Sequence, residues 1–340
     1  MKLVVHQSAS GPRAGVLTEE GVLDAAELLG RAEPVHDVLD LIAIASPVVS
    51  TLTERLGAAS GVRPVPLEGL TLLPPVLQPP TVRDHIAFEG HATRQFTRKI
   101  AEVWYRRPIH YYSNPSRLVG PDAPVQMPAT ERLDYELEVA AIIETEGADL
   151  AAADALGHVL GFTVLNDWSA RDLQADEMAY GLGPTKGKDF ATSLGPWVVT
   201  TDELQDRLAC GTLDARCQVR VNAETWAESN AKAQYWTFGT MIEHITQDSR
   251  VVPGDVIAGG TVVDCSIGEA LRKGVAAHYL FPGDHIELEV DGIGVLANTV
   301  VANPRTGPAR YTAHELPPMP QPVEGTPRTT DSAAPEEKQR

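Results

Sequence analysis

Thiols, long apolar runs and positive charge are all scarce in this sequence, and each shortage closes off a class of protein. The three cysteines, Cys210, Cys217 and Cys265, are odd in number and show no CxxC spacing. That argues against a disulfide framework or a thiolate zinc site and fits a reducing compartment. The longest apolar stretch, residues 39–49, is interrupted by Asp40, Ser46 and Pro47 and is far too short to span a bilayer. The opening MKLVVHQSAS carries one lysine and a very short apolar run, unlike a secretory signal, so a cytoplasmic protein is expected. Lysine and arginine number 28 against 46 acids, a formal net charge of −18. Such a surface repels phosphate backbones and anionic lipid, so neither nucleic acid nor a membrane is expected as a partner. The sequence contains no internal repeat and no GxGxxG, P-loop or GxSxG motif, so no nucleotide-binding or serine-hydrolase reading begins here.

What remains is an ordinary globular composition, 43% hydrophobic and 22% charged, long enough for one large domain or a small domain followed by a larger one. Residues 1–75 read as a small N-terminal domain with short strands at 2–7 and 15–17. Helical spacing over 37–45 and a Ser46–Pro47 helix start, running to about residue 56, complete it. The proline-rich LPPVLQPP at 73–80 is a connector. Helical spacing follows over 83–103. From residue 133 the pattern becomes short β-rich segments separated by turn signals: 133–143, 158–165, 195–200, 216–221, 255–258, 284–290 and 294–301. The helix expected within this body covers 228–246. The predicted fold class is α+β and predominantly β, antiparallel with a sandwich- or barrel-like body. Residues 315–340 hold six prolines and few large apolar side chains, and read as a disordered tail.

The most informative segment is Leu133-Asp134-Tyr135-Glu136-Leu137-Glu138-Val139. On a strand its period of two places Asp134, Glu136 and Glu138 on one face. One reading is a half-exposed strand with a solvated acidic face. Two details favour another. Glutamate is depleted in strands, and no lysine or arginine alternates with these acids. The segment also runs on into Ala140-Ala141-Ile142-Ile143, a buried-strand signature. Partly buried carboxylates of like sign must lose charge or gain a cation, and a hard divalent ion with oxygen ligands meets that need. Asp167 stands where the apolar strand before it ends, a position that suits either a ligand or a turn cap.

Five strings in order then resemble one family. Leu133–Val139 ends in E-x-E, and Asn166-Asp167-Trp168-Ser169-Ala170-Arg171-Asp172-Leu173-Gln174 follows the NDWSARDxQ pattern. Gly187-Lys188-Asp189-Phe190 precedes Gly195-Pro196-Trp197-Val198-Val199. Ser229-Asn230-Ala231-Lys232-Ala233-Gln234-Tyr235-Trp236-Thr237 and Pro253-Gly254-Asp255 through Gly260-Thr261 complete the set. Over residues 82–301 the chain is similar to fumarylacetoacetase and its relatives. The resemblance implies a mixed β-roll catalytic domain over 76–314, a homodimer, and Mg²⁺ as cofactor, with Mn²⁺ or Ca²⁺ as substitutes. It further implies Asp84, Glu136, Glu138 and Asp167 as metal ligands and His91 as general base. Lys188 then faces the substrate and Glu269 orients the histidine, while Tyr111, Arg171, Gln174 and Thr261 fall to substrate binding.

The chain also departs from that pattern. Ile100 stands where the family carries a substrate-binding arginine, and Ile86 and Met178 stand in place of two tyrosines. A substrate more apolar or differently charged than fumarylacetoacetate is therefore expected. Cys265, in the unusual run Gly260–Glu269, is expected to be a packed thiol. The expected activity is metal-dependent hydrolysis of a carbon–carbon bond in a 1,3-dicarbonyl or keto acid of the acylpyruvate type, through water activated by His91. The alternatives are a decarboxylase, tautomerase or cyclase on the same metal platform, or a non-catalytic metal-binding protein.

Overall fold

The computed structural model describes residues 1–58, 61–95, 99–209, 211–274 and 278–305. Cys210 and the tail expected over 315–340 lie outside them. In chain order the strands that build the fold are β1 (Lys2–Ser8), β2 (Gly11–Thr18), β3 (Gly21–Asp24), β4 (Val82–His85), β5 (His110–Ser113), β6 (Leu118–Val119), β7 (Pro124–Gln126), β8 (Leu137–Ile143), β9 (Val159–Asn166), β10 (Thr192–Thr200), β11 (Arg216–Val221), β12 (Glu224–Asn230), β13 (Val256–Ala258), β14 (His285–Val290) and β15 (Gly294–Val301). The main helices are α1 (Val38–Ala45), α2 (Val48–Ala58), α3 (Glu89–Gln95), α4 (Arg171–Tyr180), α5 (Phe238–Thr246) and α6 (Ile267–Lys273).

A large mixed sheet runs in the order β3-β2-β1-β10-β9-β8-β13-β4-β5, with β6 beside β10. A second sheet runs β12-β11-β14-β15-β7. The chain is thus α+β and predominantly β. Its ladders are mostly antiparallel, with parallel pairs at β13/β4, β10/β6 and β15/β7. No helix among the described residues is long and apolar enough to cross a membrane.

Strand β8 shows why the sheet is central. Its residues alternate between two cores, as strand geometry requires. Leu137, Val139, Ala141 and Ile143 pack with the second sheet and α5, in one cluster with Val219, Leu288 and Met241. Ala140 and Ile142 pack on the opposite face against α1 and β1, with Leu41, Ile42 and Val5. Both faces are therefore covered, which explains the unbroken apolar run at 139–143. The N-terminal hairpin extends the same sheet, since Lys2 and Leu3 of β1 pair with Val199 and Val198 of β10.

Helix α1 matches its expected span. Asp37 caps it by accepting from the Asp40 amide, and Val38, Leu41, Ile42 and Ala45 form its buried stripe. Helix α2 starts differently from expectation. Its first amide, at Val48, donates to Glu144 Oε1 at 2.6 Å, so a carboxylate from a distant segment caps the helix, and the Ser46 hydroxyl donates to that same oxygen.

Two helical expectations are corrected. Among the described residues of 83–103, Glu89–Gln95 is the α-helical stretch, because Val82–His85 is recruited as a strand between β13 and β5. In 228–246 the helix begins at Phe238, capped by Thr237, and Glu224–Asn230 is a strand paired with β11. In both cases ladder pairing outweighs a helical spacing that propensity alone would allow.

Candidate active site

The sheet order places the chemistry. Ala140, Ala258, Asp84 and Tyr111 form a row across the adjacent strands β8, β13, β4 and β5. Glu138 lies two residues from Ala140 and so on the same face, opposite Leu165 of β9. Asp167 follows the end of β9, where the buried Trp168 indole donates to Ser193 Oγ at 2.9 Å and anchors the turn. Carboxylates from β8, the end of β9 and β4 thus converge from rigid strands. Asp84, Glu138 and Asp167 each offer an oxygen within 4.8 Å of the others, and all three are buried.

Three buried acids this close cannot all stay charged without a cation. Burial first, and then the neighbouring Asp167, hold the Asp84 carboxyl well above its ordinary range. Burial, Asp84 and Asp167 do the same to Glu138. Asp167 is raised by burial despite the opposing Lys188 ammonium, and its Oδ1 is buried with no hydrogen-bond partner. An orphaned oxygen beside two like charges, all from hard oxygen donors, fits a divalent cation such as Mg²⁺ or Mn²⁺.

Around this triad sit two buried cations. Lys188 donates to Glu136 Oε2 at 2.5 Å and to Asp167 Oδ2. Burial disfavours its ammonium, but Asp167 and Glu136 outweigh that and raise its pKa. Arg171 donates to Glu136 Oε1 at 2.7 Å, to Asp134 Oδ2 at 2.8 Å and to Gln174 Oε1 at 2.9 Å. Glu136 would be raised by its burial, yet Arg171, Lys188 and His91 together hold it well below the usual carboxylate range. Glu136 is therefore tied to both cations at the edge of the triad. Tyr111 donates to Asp167 at 2.7 Å and to Asp84 at 3.2 Å, and burial pushes its phenol well above 10.0. Glu138 accepts from the Gly260 amide at 3.0 Å and from Thr261 Oγ1 at 3.4 Å.

His91 completes the arrangement from α3. Its Nδ1 lies 3.1 Å from Glu269 Oε2, and its Nε2 lies 3.6 Å from Glu136 Oε1. Because Glu269 accepts, Nδ1 is the donor to it and Nε2 faces the triad side. Glu269 is set by α6, where the Ser266 hydroxyl donates to Oε2 at 3.0 Å and accepts from the Glu269 amide at 3.3 Å. All eleven residues singled out in the sequence lie in or directly behind this cleft, whose volume is about 330 Å³; Glu269 stands behind His91.

Three features went unread. Asp134 shares a period with Glu136 and Glu138 but leaves the triad. The ladder breaks at residues 135–136, and Asp134 instead accepts from the amides of Ile267 and Gly268 at the start of α6. The Ser266-x-x-Glu269 capping pattern was visible in the sequence and foretells the helix start that positions Glu269. His85 and His110, on the strand pair beside Asp84, had no signal. Burial and then His110 bring His85 down to about 3, while burial and Arg83 bring His110 to about 4. Cys265 is a buried thiol, as expected, pushed well above its ordinary value by burial.

The chain is similar to known proteins. The family model for the fumarylacetoacetate (FAA) hydrolase C-terminal domain matches residues 81–301. The chain is 29% identical over 314 residues to the mitochondrial oxaloacetate tautomerase FAHD2A of Bos taurus, covering 88% of this chain and 92% of that one. Its fold is similar to a fumarylacetoacetate hydrolase from psychrophilic Exiguobacterium antarcticum, with a TM-score of 0.69, 28% identity and coverage of 89% and 100% of the two chains. It also resembles maleylpyruvate hydrolase of Sphingobium sp. SYK-6, solved with manganese(II) and pyruvate, at a TM-score of 0.69, 23% identity and coverage of 89% and 99%. With a buried acid triad on the strands that this match spans, the chain belongs to the fumarylacetoacetate hydrolase family.

Proposed function

We propose that this protein is a divalent-metal-dependent hydrolase that splits a carbon–carbon bond in a 1,3-dicarbonyl acid of the acylpyruvate or fumarylacetoacetate type. The observation that carries this reading is the His91–Glu269 pair, whose imidazole Nε2, beside Glu136, opens on the same cleft as Asp84, Glu138, Asp167 and Lys188. Mg²⁺ or Mn²⁺ held by Asp84, Glu138 and Asp167, with Glu136 beside them, would supply Lewis-acid polarisation of the substrate oxygens.

The residues do the rest. His91 Nε2 takes a proton from water, and the oxygen bonds to the carbonyl carbon distal to the carboxylate. Lys188 balances the oxyanion charge. The carbon–carbon bond breaks, its electron pair stays on the CH₂, and that carbon takes a proton from His91. R–CO–CH₂–CO–COO⁻ and water give R–COOH and CH₃–CO–COO⁻, with every atom accounted for.

A second reading is favoured by the likeness to an oxaloacetate tautomerase. The same imidazole could pass a proton between the CH₂ carbon and the enol oxygen without consuming water. Acylpyruvates and oxaloacetate, tested with and without Mg²⁺ or Mn²⁺ on wild type and His91→Ala, separate the two. Metal-dependent release of pyruvate together with the acyl acid from acylpyruvates, abolished by the substitution, supports the hydrolase. Enol–keto interconversion without cleavage supports the tautomerase and overturns the first reading.

A further inference from the structure

Exposed apolar side chains are common on any protein and rarely mean anything singly. Here three of the large ones meet at one concave mouth. Ile109 is 38% exposed, Met178 43% and Leu182 77%, and all three line the cleft that holds the acid triad. The half-buried Ile86 joins them. Their placement follows from local structure. Arg171, Gln174 and Met178 occur at i, i+3 and i+7 of α4 and so share a face. That face begins with polar groups at the acids and ends with Met178 toward the mouth. Gly181, in the left-handed conformation at φ +94°, ends the helix and turns Leu182 to the rim.

The charge balance points the same way. Among the described residues lining the cleft, Lys188 and Arg171 are the permanently charged cations. Both are already held by Asp134, Glu136 and Asp167. Among the described residues lining the cleft, no further lysine or arginine stands at the apolar mouth to receive a second substrate carboxylate. The net charge of −18 adds to the disadvantage of a dianion over a monoanion.

Resting on the hydrolase reading for its catalytic end, we infer that Ile86, Ile109, Met178 and Leu182 form a specificity wall for an uncharged apolar substituent. The substrate class is then a 2,4-dioxo monocarboxylate whose acyl group is an alkyl chain or an aryl ring, in preference to a dicarboxylate. The keto-acid end lies at the acids, and the tail runs out along α4.

Two measurements on the full chain test this. The first is kcat/KM for acetyl-, butanoyl-, hexanoyl- and benzoylpyruvate against succinylpyruvate, with Mn²⁺. The expected result is a rise of roughly three- to four-fold per added methylene until the wall is covered, with the dicarboxylate poorest. The second reads binding alone: calorimetry of 2-oxohexanoate and 2-oxooctanoate against 2-oxoglutarate on Mn²⁺-loaded protein, where the longest monoacid binds tightest. Met178→Lys and Leu182→Arg, at exposed positions that melting curves can confirm as folded, should flatten the chain-length gradient and improve the dicarboxylates. A flat series, or a wild type that binds 2-oxoglutarate best, overturns the wall. If no acylpyruvate is cleaved, the hydrolase reading fails by itself, and the 2-oxo acid isotherms still decide the wall.

Discussion

Glu269 and His91 meet across 3.1 Å although 178 residues separate them in the chain. The acid arrives on α6 and the imidazole on α3, so neither helix alone makes the pair. Glu269→Gln keeps the size and removes the charge that steadies the ring. It should lower kcat roughly 10–100-fold, as loss of an outer partner does, while Mn²⁺ affinity stays near wild type. His91→Ala should cost on the order of 10²–10⁴ in kcat. Steady-state kinetics beside Mn²⁺ calorimetry checks both, and unchanged turnover in His91→Ala would remove it from the mechanism.

Asp134 and Glu138 are four residues apart and should behave in opposite ways. Glu138→Gln removes a triad oxygen, so Mn²⁺ affinity should fall by more than the roughly 10–100-fold of an outer-partner change. Asp134→Ala leaves Arg171 short of one buried partner and α6 without its capping carboxylate. Breaking such a buried pair costs about 3–5 kcal/mol. Denaturant unfolding should show that loss, with Mn²⁺ binding retained in the folded fraction. Equal effects of the two variants on metal affinity would contradict the separation.

Gly260 sits at φ +82°, and a Cβ there would lie 2.3 Å from the carbonyl oxygen of His85. Its amide also holds Glu138 Oε2. Gly260→Ala should therefore destabilise by about 1–3 kcal/mol through overpacking and weaken Mn²⁺ binding at the same time. Thermal melts with and without Mn²⁺ read both effects, and a neutral melt would refute the close approach.

Asp84 and Glu138 hold protons more tightly in the folded chain than at their ordinary values of 3.8 and 4.5. Above those values and below the raised ones, the native state binds more protons than the unfolded state. Stability from these two groups therefore falls as pH rises through that window. Glu136 is shifted the other way; its contribution is in place above 4.5 and is lost only in acid, as pH falls through its lowered value. Metal-free protein should melt lower at pH 8 than at pH 5.5 because of the acid pair. Mn²⁺ should raise the Tm more at pH 8, and its binding should release protons, seen by calorimetry in buffers of different ionisation enthalpy. A Tm that climbs steadily from pH 5.5 to 8 without metal would contradict this.

Strands with clean alternation or unbroken apolar runs were legible. Arg216–Val221 and Gly294–Val301 have the bounds expected from pattern alone. The strand expected over 133–143 was not legible as two pieces. The break at 135–136 depends on Asn166, whose side chain takes the Glu136 amide at 3.0 Å in place of a ladder partner. That break sends Asp134 to α6 while Glu138 stays on the sheet. Asp84 and His91 were marked only by the family resemblance, and the strand that carries Asp84 is held between β13 and β5. Pairing between distant segments leaves no local trace, whereas the Ser266–Glu269 cap did.

The alternation of β8 between two cores also bears on its register. A slip of β8 by one residue against β9 would turn Glu138 toward the Val219 and Leu288 side and bring Leu137 or Val139 to Asp84 and Asp167. Either outcome leaves an uncompensated carboxylate in hydrocarbon and a triad one member short. A bound cation would thus favour the native register, because only correctly threaded molecules present the complete triad to it.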